Sequence, residues 1–216
     1  PDMNILVACE FSGIVSGAFR KRGQDAWSCD LLPTESDFMR PYHIQGDCLD
    51  AIRAGRPTDG ARWDLVIAHP PCTYLCSSGL HWNKRVPGRD AKTREALEFV
   101  RAILDADVPR IALENPVGCI STHIRKYDQK IQPWQFGHDA SEGTCLWLKN
   151  LPLLSHTRII PPAGWQLVKY AYDCIPCPCC DEPYCEEHDQ HYADCDCIGP
   201  TVDDATYRLI DGYLFA

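Results

Sequence analysis

The stretch Trp63-Asp-Leu-Val-Ile-Ala-His-Pro-Pro-Cys72 passes from a short apolar run straight into two prolines and a cysteine. Residues 63–68 lack helical period and read as a strand buried in a parallel sheet. The two prolines restrict the backbone that follows, so Cys72 is held in a rigid turn at the end of that strand. Upstream, Asn4-Ile-Leu-Val-Ala-Cys9 is a second run of the same kind. Ser12 is placed to cap a helix whose Ile14, Val15, Ala18 and Phe19 make i, i+4 apolar pairs before Gly23 ends it. Residues 26–29 and 42–45 read as two further strands. Downstream, Ala91, Leu97, Val100 and Leu104 give residues 90–104 a helical period, and residues 110–113 return as a strand ending at Glu114. Later strands are expected at 130–136 and 144–148. Strand alternating with helix in this order implies an α/β fold, with a mainly parallel sheet and helices on both faces.

A chain of 216 residues, 45% of them hydrophobic, suffices for one such domain and a small appendage. The main domain is expected over 3–150. A linker and a Cys/His segment follow over 151–216, opened by Pro152, Pro161, Pro162 and Gly164. Residues 206–215 are expected to close as a hairpin around Asp211-Gly212. No apolar run approaches the roughly 18 to 20 residues of a membrane span, and the opening residues lack a signal pattern. The expectation is a cytoplasmic monomer without a membrane partner. The net charge of −9 sits wholly in the tail: residues 1–173 carry 20 basic and 20 acidic side chains, residues 174–216 one and 10. Charge therefore says nothing against a polyanionic partner held in a local basic cleft of the main domain.

Ligands of an open parallel sheet bind beyond the carboxyl ends of its strands, and four such ends are polar here. Glu10-Phe11-Ser12-Gly13 follows the first, Asp30 ends the second, Asp47 follows the third, and Pro70-Pro71-Cys72 follows the fourth. Asp30 stands about 20 residues after a glycine-containing turn, the spacing at which a carboxylate takes ribose hydroxyls. Each acid alone reads equally well as a turn carboxylate; their shared location points to a nucleoside-bearing cofactor. A cysteine is usually a small core hydrophobe, but Cys72 stands in a constrained turn. Glu114, at the next strand end, gives it a chemical partner. Thiolate addition at carbon 6 of cytosine turns the ring into a carbon nucleophile, and a carboxylic acid at ring nitrogen 3 neutralises the charge created.

Over roughly residues 3–150 these motifs resemble, in order, those of DNA cytosine C-5 methyltransferases, and the likeness is to small phage-type members that end in a Cys/His block. The resemblance implies a Rossmann-like S-adenosylmethionine-dependent methyltransferase sheet, with Cys72 as nucleophile and Glu114 at the target base. It further implies that Glu10, Phe11, Ser12, Gly13, Asp30, Asp47 and Pro70 face S-adenosylmethionine and that the substrate is double-stranded DNA. Residues 136–146 resemble a later segment that supports the catalytic loop. The chain departs from the pattern with Thr73 where Gln is usual, Pro116 where Val is usual, and Glu10 in the first turn. A Gln-x-Arg-x-Arg segment is lacking, and Arg125 and Lys126 are the candidates to replace it. Two other readings stay open. His69-Pro70-Pro71-Cys72 is distantly similar to the Asp-Pro-Pro-Tyr turn of amino-methyltransferases, and a non-catalytic zinc-containing nucleic-acid binder would keep the same scaffold. RNA cytosine is an alternative substrate.

Seven of the 14 cysteines crowd into residues 174–197. Cys177, Cys180, Cys185, His188, His191, Cys195 and Cys197 are metal-ligand types at metal-ligand spacing, and thiolate with imidazole favours zinc. A segment this short and acidic needs the metal to fold. It reads equally as a structural knob and as a target-recognition element.

Overall fold

The computed structural model describes residues 3–160. The Cys/His block with the expected metal-ligating residues Cys177, Cys180, Cys185, His188, His191, Cys195 and Cys197 lies outside the described residues, as does the expected hairpin at 206–215.

Seven strands form one sheet: β1 (Asn4–Ala8), β2 (Asp25–Asp30), β3 (His43–Gln45), β4 (Leu65–Ala68), β5 (Arg110–Pro116), β6 (Gln129–Ile131) and β7 (Thr144–Lys149). Their order is β3-β2-β1-β4-β5-β7-β6. The first five run parallel, while β7 is antiparallel to β5 and to β6. The helices are α1 (Ile14–Lys21), α2 (Cys48–Ala54), α3 (Ser77–Leu80), α4 (Arg89–Leu104) and α5 (Ile120–His123).

The period of two along a strand divides the core. Leu6, Ala8, Val66, Ala68, Ile111 and Leu113 face one side, where Ala51 of α2 and Leu97, Val100 and Ile103 of α4 pack on them. Ile5, Val7, Leu65, Ile67 and Ala112 face the other, covered by Phe19 of α1. Central strands buried on both faces carry no polar alternation, which is why Ile5-Leu-Val-Ala8 and Leu65-Val-Ile-Ala68 are uniformly apolar. The chain leaves β1 for β2 and β3 on one side, then crosses back to lay β4 on the other. The strand order therefore reverses between β1 and β4, and a crevice opens at their carboxyl ends.

Two expectations are corrected. The helix after β1 is not capped by Ser12; Gly13, in the left-handed region at φ 69°, holds the cap position, and the Ser12 hydroxyl accepts from the Ile14 N–H and donates to Glu10. The strand expected at 130–136 stops at Ile131, because Pro133 has no N–H for a ladder and opens a single 3-10 turn instead. The sheet is mainly parallel, as expected, and only β7 pairs antiparallel, with β5 and β6.

Asp25 ties the amino end of β2 to two arginines, Arg20 at 2.9 Å and Arg56 at 2.6 Å. Burial pushes its carboxyl up, but the two guanidinium groups outweigh that and hold it below the ordinary carboxylate value. A depressed folded value adds stability that is complete above the unfolded value, about 3.9, and vanishes as pH falls through the folded one. Asp25→Asn is expected to cost about 1 to 3 kcal/mol at neutral pH. In urea titrations the gap to wild type should close steadily below about pH 4, and a gap independent of pH would refute this clamp.

Candidate active site

Pro70 is buried and Pro71 is extended at φ −53°, ψ 122°, so the chain leaves β4 without a helical turn and then tightens into one at Cys72–Tyr74. Cys72 is exposed at the head of that turn, and its carbonyl accepts from Leu75 and Cys76. Two sets of contacts fasten this turn to the end of β5. The buried Asn115 donates Nδ2 to the Pro70 carbonyl at 2.7 Å. Gly118 bridges Cys76, Ser77 N–H donates to Val117, and Cys119 N–H donates to Leu75. A Cβ at Gly118 would sit 2.0 Å from the Leu75 carbonyl oxygen, so only glycine permits the approach.

Glu114 is held on both oxygens. Oε2 lies 3.1 Å from Nδ1 of His69, and Oε1 accepts from the Thr144 hydroxyl. A carboxylate only accepts, so Nδ1 of His69 carries the proton of that bond. Burial pushes Glu114 up, but His69 and then Thr144 reverse the shift, and the group is held ionised below its ordinary value. Cys72 moves the other way. Partial burial of its sulfur, the Cys76 thiol and the negative charge of Glu114 raise it above an ordinary thiol. Cys76 is lowered, first by Ser78 and also by Cys72. The resting nucleophile candidate is therefore a thiol beside an ionised acid.

Behind the turn lies a cavity of about 450 Å³ at the crevice between β1 and β4. Asp30, Asp47 and Pro70 line it together with Cys9, Cys48 and Phe99. The structure thus brings three of the expected cofactor residues to one cleft, within the size range of small-molecule sites. Both acids also serve the backbone: Asp30 accepts from Leu32 N–H, and Asp47 caps α2 through Leu49 and Asp50.

Glu10, Phe11, Ser12 and Gly13 are not among the residues lining this cavity. The buried Glu10 carboxylate turns into the first turn of α1, accepting from Val15 N–H at 2.6 Å, from Ser16 N–H and from the Ser12 hydroxyl. Gly13 is required for packing, since a Cβ there would meet Ser36 and Met39 within 3.0 Å. The turn shapes the crevice by aiming Cys9, which sits at φ 60° and is thereby a strained non-glycine residue.

Arg125, the candidate to replace base-contacting arginines, is held away from Glu114 here. Its guanidinium binds Asp128 and the Leu148 carbonyl, two register positions from Glu114 along the β5–β7 ladder. Several site residues escaped the sequence reading. Lys92, Glu95, Ala96 and Phe99 form one face of α4 along the cleft, and their i, i+3, i+4, i+7 spacing was the available signal. The contacts of His69 and Thr144 to Glu114, and the role of Gly118, join segments distant in sequence and left no local mark. Among the described residues, no group of three or more His, Cys, Asp or Glu could hold a metal ion, and no helix is long and apolar enough to cross a membrane.

No protein-family model matches the chain, and no curated protein matches it. Among solved structures, one similar chain is a candidate DNA modification methyltransferase encoded within a prophage of E. coli. It is 16% identical, with a TM-score of 0.48 over 74% of this chain and 52% of that one. The bifunctional kinase-methyltransferase WbdD, seen in two structures, is 14% and 13% identical with TM-scores of 0.39 and 0.37. Each covers 72% of this chain, which spans 38% and 36% of theirs. The chain thus spans about half the first neighbour and just over a third of the others. Similarity of this degree assigns neither family nor activity.

The bond from Asn115 to Pro70 yields a direct prediction. Asn115→Ala leaves a buried carbonyl without its donor, which is expected to cost about 1 to 3 kcal/mol by urea denaturation. Alkylation of Cys72 should also quicken as its turn loosens. Unchanged stability and unchanged alkylation rate would rule the bond out as a support of the turn.

Proposed function

We propose that the chain is a DNA methyltransferase that transfers a methyl group from S-adenosylmethionine to carbon 5 of cytosine. The observation that carries the reading is one arrangement: a thiol and a carboxylate on adjacent strand ends, fastened together through Asn115 and Gly118. Directly behind them lies the acid-lined cleft.

The cleft fits the cofactor by its donor set. Asp30 and Asp47 suit the hydroxyls and amino group of a nucleoside, while Leu31 and Phe99 supply apolar wall. Bound there, S-adenosylmethionine supplies an electrophilic methyl group. Glu10, Phe11, Ser12 and Gly13 act in this reading by bracing the first turn.

Cys72 cannot reach carbon 6 within a stacked duplex, so the target base is flipped out. The Cys72 sulfur attacks carbon 6 as thiolate. Glu114, ionised at rest, accepts from the exocyclic amino group as the base arrives, and the proton shared between His69 and Glu114 is drawn toward nitrogen 3 as charge builds on the ring. Carbon 5, made nucleophilic by that addition, takes the methyl group, and its proton then passes to water as the carbon 6–sulfur bond breaks and expels the thiolate. The segment after the turn supports a polyanionic partner: Trp82 is exposed, Arg85 stacks against it, and Lys84, Arg85 and Arg89 lie within eight residues of one another. Zinc at Cys177, Cys180, Cys185, His188, His191, Cys195 and Cys197 belongs to the same proposal and rests on residue types and spacing alone.

A duplex carrying 5-fluorocytosine tests the reading, because fluorine at carbon 5 blocks the last proton loss. With the cofactor present, wild type is expected to form a denaturation-stable adduct, and Cys72→Ser none. Adduct formation should rise from about pH 7 to 9 as the raised thiol ionises. Glu114→Gln is expected to slow it by about 100-fold or more. Methyl transfer that survives Cys72→Ser, with the methyl group found on an exocyclic nitrogen, would replace this reading with amino methylation.

A further inference from the structure

Three cysteines that the proposed reaction does not use converge at the cofactor cleft. Cys9 follows β1, Cys29 lies in β2 and Cys48 begins α2. The Cys9 and Cys48 sulfurs are 3.8 Å apart, and Cys48 Sγ also accepts from the Cys9 N–H at 3.2 Å. Cys29 is fully buried, its carbonyl accepts from the Cys48 thiol, and its own thiol donates to the Gly46 carbonyl. Cys9 and Cys48 both line the cavity, so a small solute in the cleft reaches them.

We infer that Cys48 and Cys9 form a peroxide-oxidisable thiol pair whose disulfide closes the cleft. The geometry supplies both partners. The left-handed backbone of Cys9, at φ 60°, turns its N–H and its thiol toward the same sulfur. The Cys29 and then the Cys9 side chains beside it hold the Cys48 thiol below its ordinary value, whereas the contact with Cys48 and burial push Cys9 up. The charge therefore rests on one sulfur, and the neighbour stands ready as the resolving thiol.

The chemistry balances with hydrogen peroxide as the oxidant. The Cys48 thiolate attacks one peroxide oxygen, the O–O bond breaks, and hydroxide leaves Cys48 as a sulfenic acid. The Cys9 sulfur then attacks the Cys48 sulfur, the S–O bond breaks, and the Cys9 proton departs with the leaving oxygen as water. Two sulfurs together lose two electrons and the peroxide gains them. Bringing the sulfurs from 3.8 Å to the roughly 2.05 Å of a disulfide draws the first residue of α2 toward the end of β1. Asp47, its immediate neighbour, moves with it, away from its place opposite Asp30 and Pro70.

The effect on cofactor binding rests on the function proposed above; the bond itself does not. The full chain in the Cys72→Ser background is treated with hydrogen peroxide, blocked with N-ethylmaleimide and mapped by mass spectrometry without reduction. A cross-linked Cys9–Cys48 peptide pair is expected, two mass units lighter than the sum of its parts. Cys9→Ser should instead leave Cys48 sulfenic acid, captured by dimedone. If Cys9 and Cys48 both recover as maleimide adducts after oxidation, the thiol pair is refuted. Calorimetry with S-adenosylhomocysteine is expected to show binding at least tenfold weaker after oxidation and restored by dithiothreitol. Equal affinity in both states would overturn the closure of the cleft. A cross-link in a protein that binds no cofactor when reduced would sink the functional reading and leave the oxidation site standing.

Discussion

The turn after β4 carries no regular hydrogen bonding of its own, yet it must place a reactive sulfur within reach of a carboxylate on another strand. Two prolines remove backbone freedom and also remove two N–H groups that could have anchored the turn. The anchorage comes from β5 instead. Asn115 donates across to the Pro70 carbonyl, and the backbone from Val117 to Cys119 lies against Leu75 to Ser77 closely enough that Gly118 tolerates no side chain. Glu114 and Asn115 alternate on the strand, so the first meets His69 and Thr144 while the next fixes the loop of Cys72. The geometry of Cys72 relative to Glu114 is thus set by a single strand end, and slippage of β5 would lose both at once.

Electrostatics at the pair run against the simplest picture of an activated thiolate. Glu114 is ionised by His69 and Thr144, and its charge helps hold Cys72 protonated. This suits a site at rest, because a permanent thiolate beside a carboxylate would be open to oxidation and alkylation. In the proposed reaction, a base bonded to Glu114 would offset that part of the charge acting on Cys72. His69 links the two halves, since it stands on the strand of Cys72 and bonds the acid of β5.

Most of the parallel sheet was legible in the sequence because buried parallel strands have a local signature, namely unbroken apolar runs such as Leu65 to Ala68. The antiparallel end of the sheet was not, since Gln129 to Ile131 is short and half polar and its pairing depends on β7. At the site, Asp30, Asp47, Pro70, Cys72 and Glu114 could be placed because strand ends are positions a sequence reveals. Glu10 could not be assigned a direction. A carboxylate after β1 can face a ligand or a helix, and only the left-handed Gly13 and the free N–H groups of α1 decide for the helix. Gly118, Thr144 and His69 became visible only through their tertiary partners.

Cysteine usage in the described residues divides along the same line. Cys119 and Cys145 are buried on the core face and behave as the small hydrophobes expected of scattered cysteines. Cys9, Cys29 and Cys48 are also largely buried, but they meet one another where the sheet opens. The difference is position along the strand. Near strand carboxyl ends, backbone N–H groups and thiols from adjacent elements converge, and the same side chain becomes an acceptor with a stabilised charge. Among the described residues, sheet topology therefore gathers Cys9, Cys29 and Cys48 beside the crevice at the strand ends, where ligands of an open parallel sheet bind.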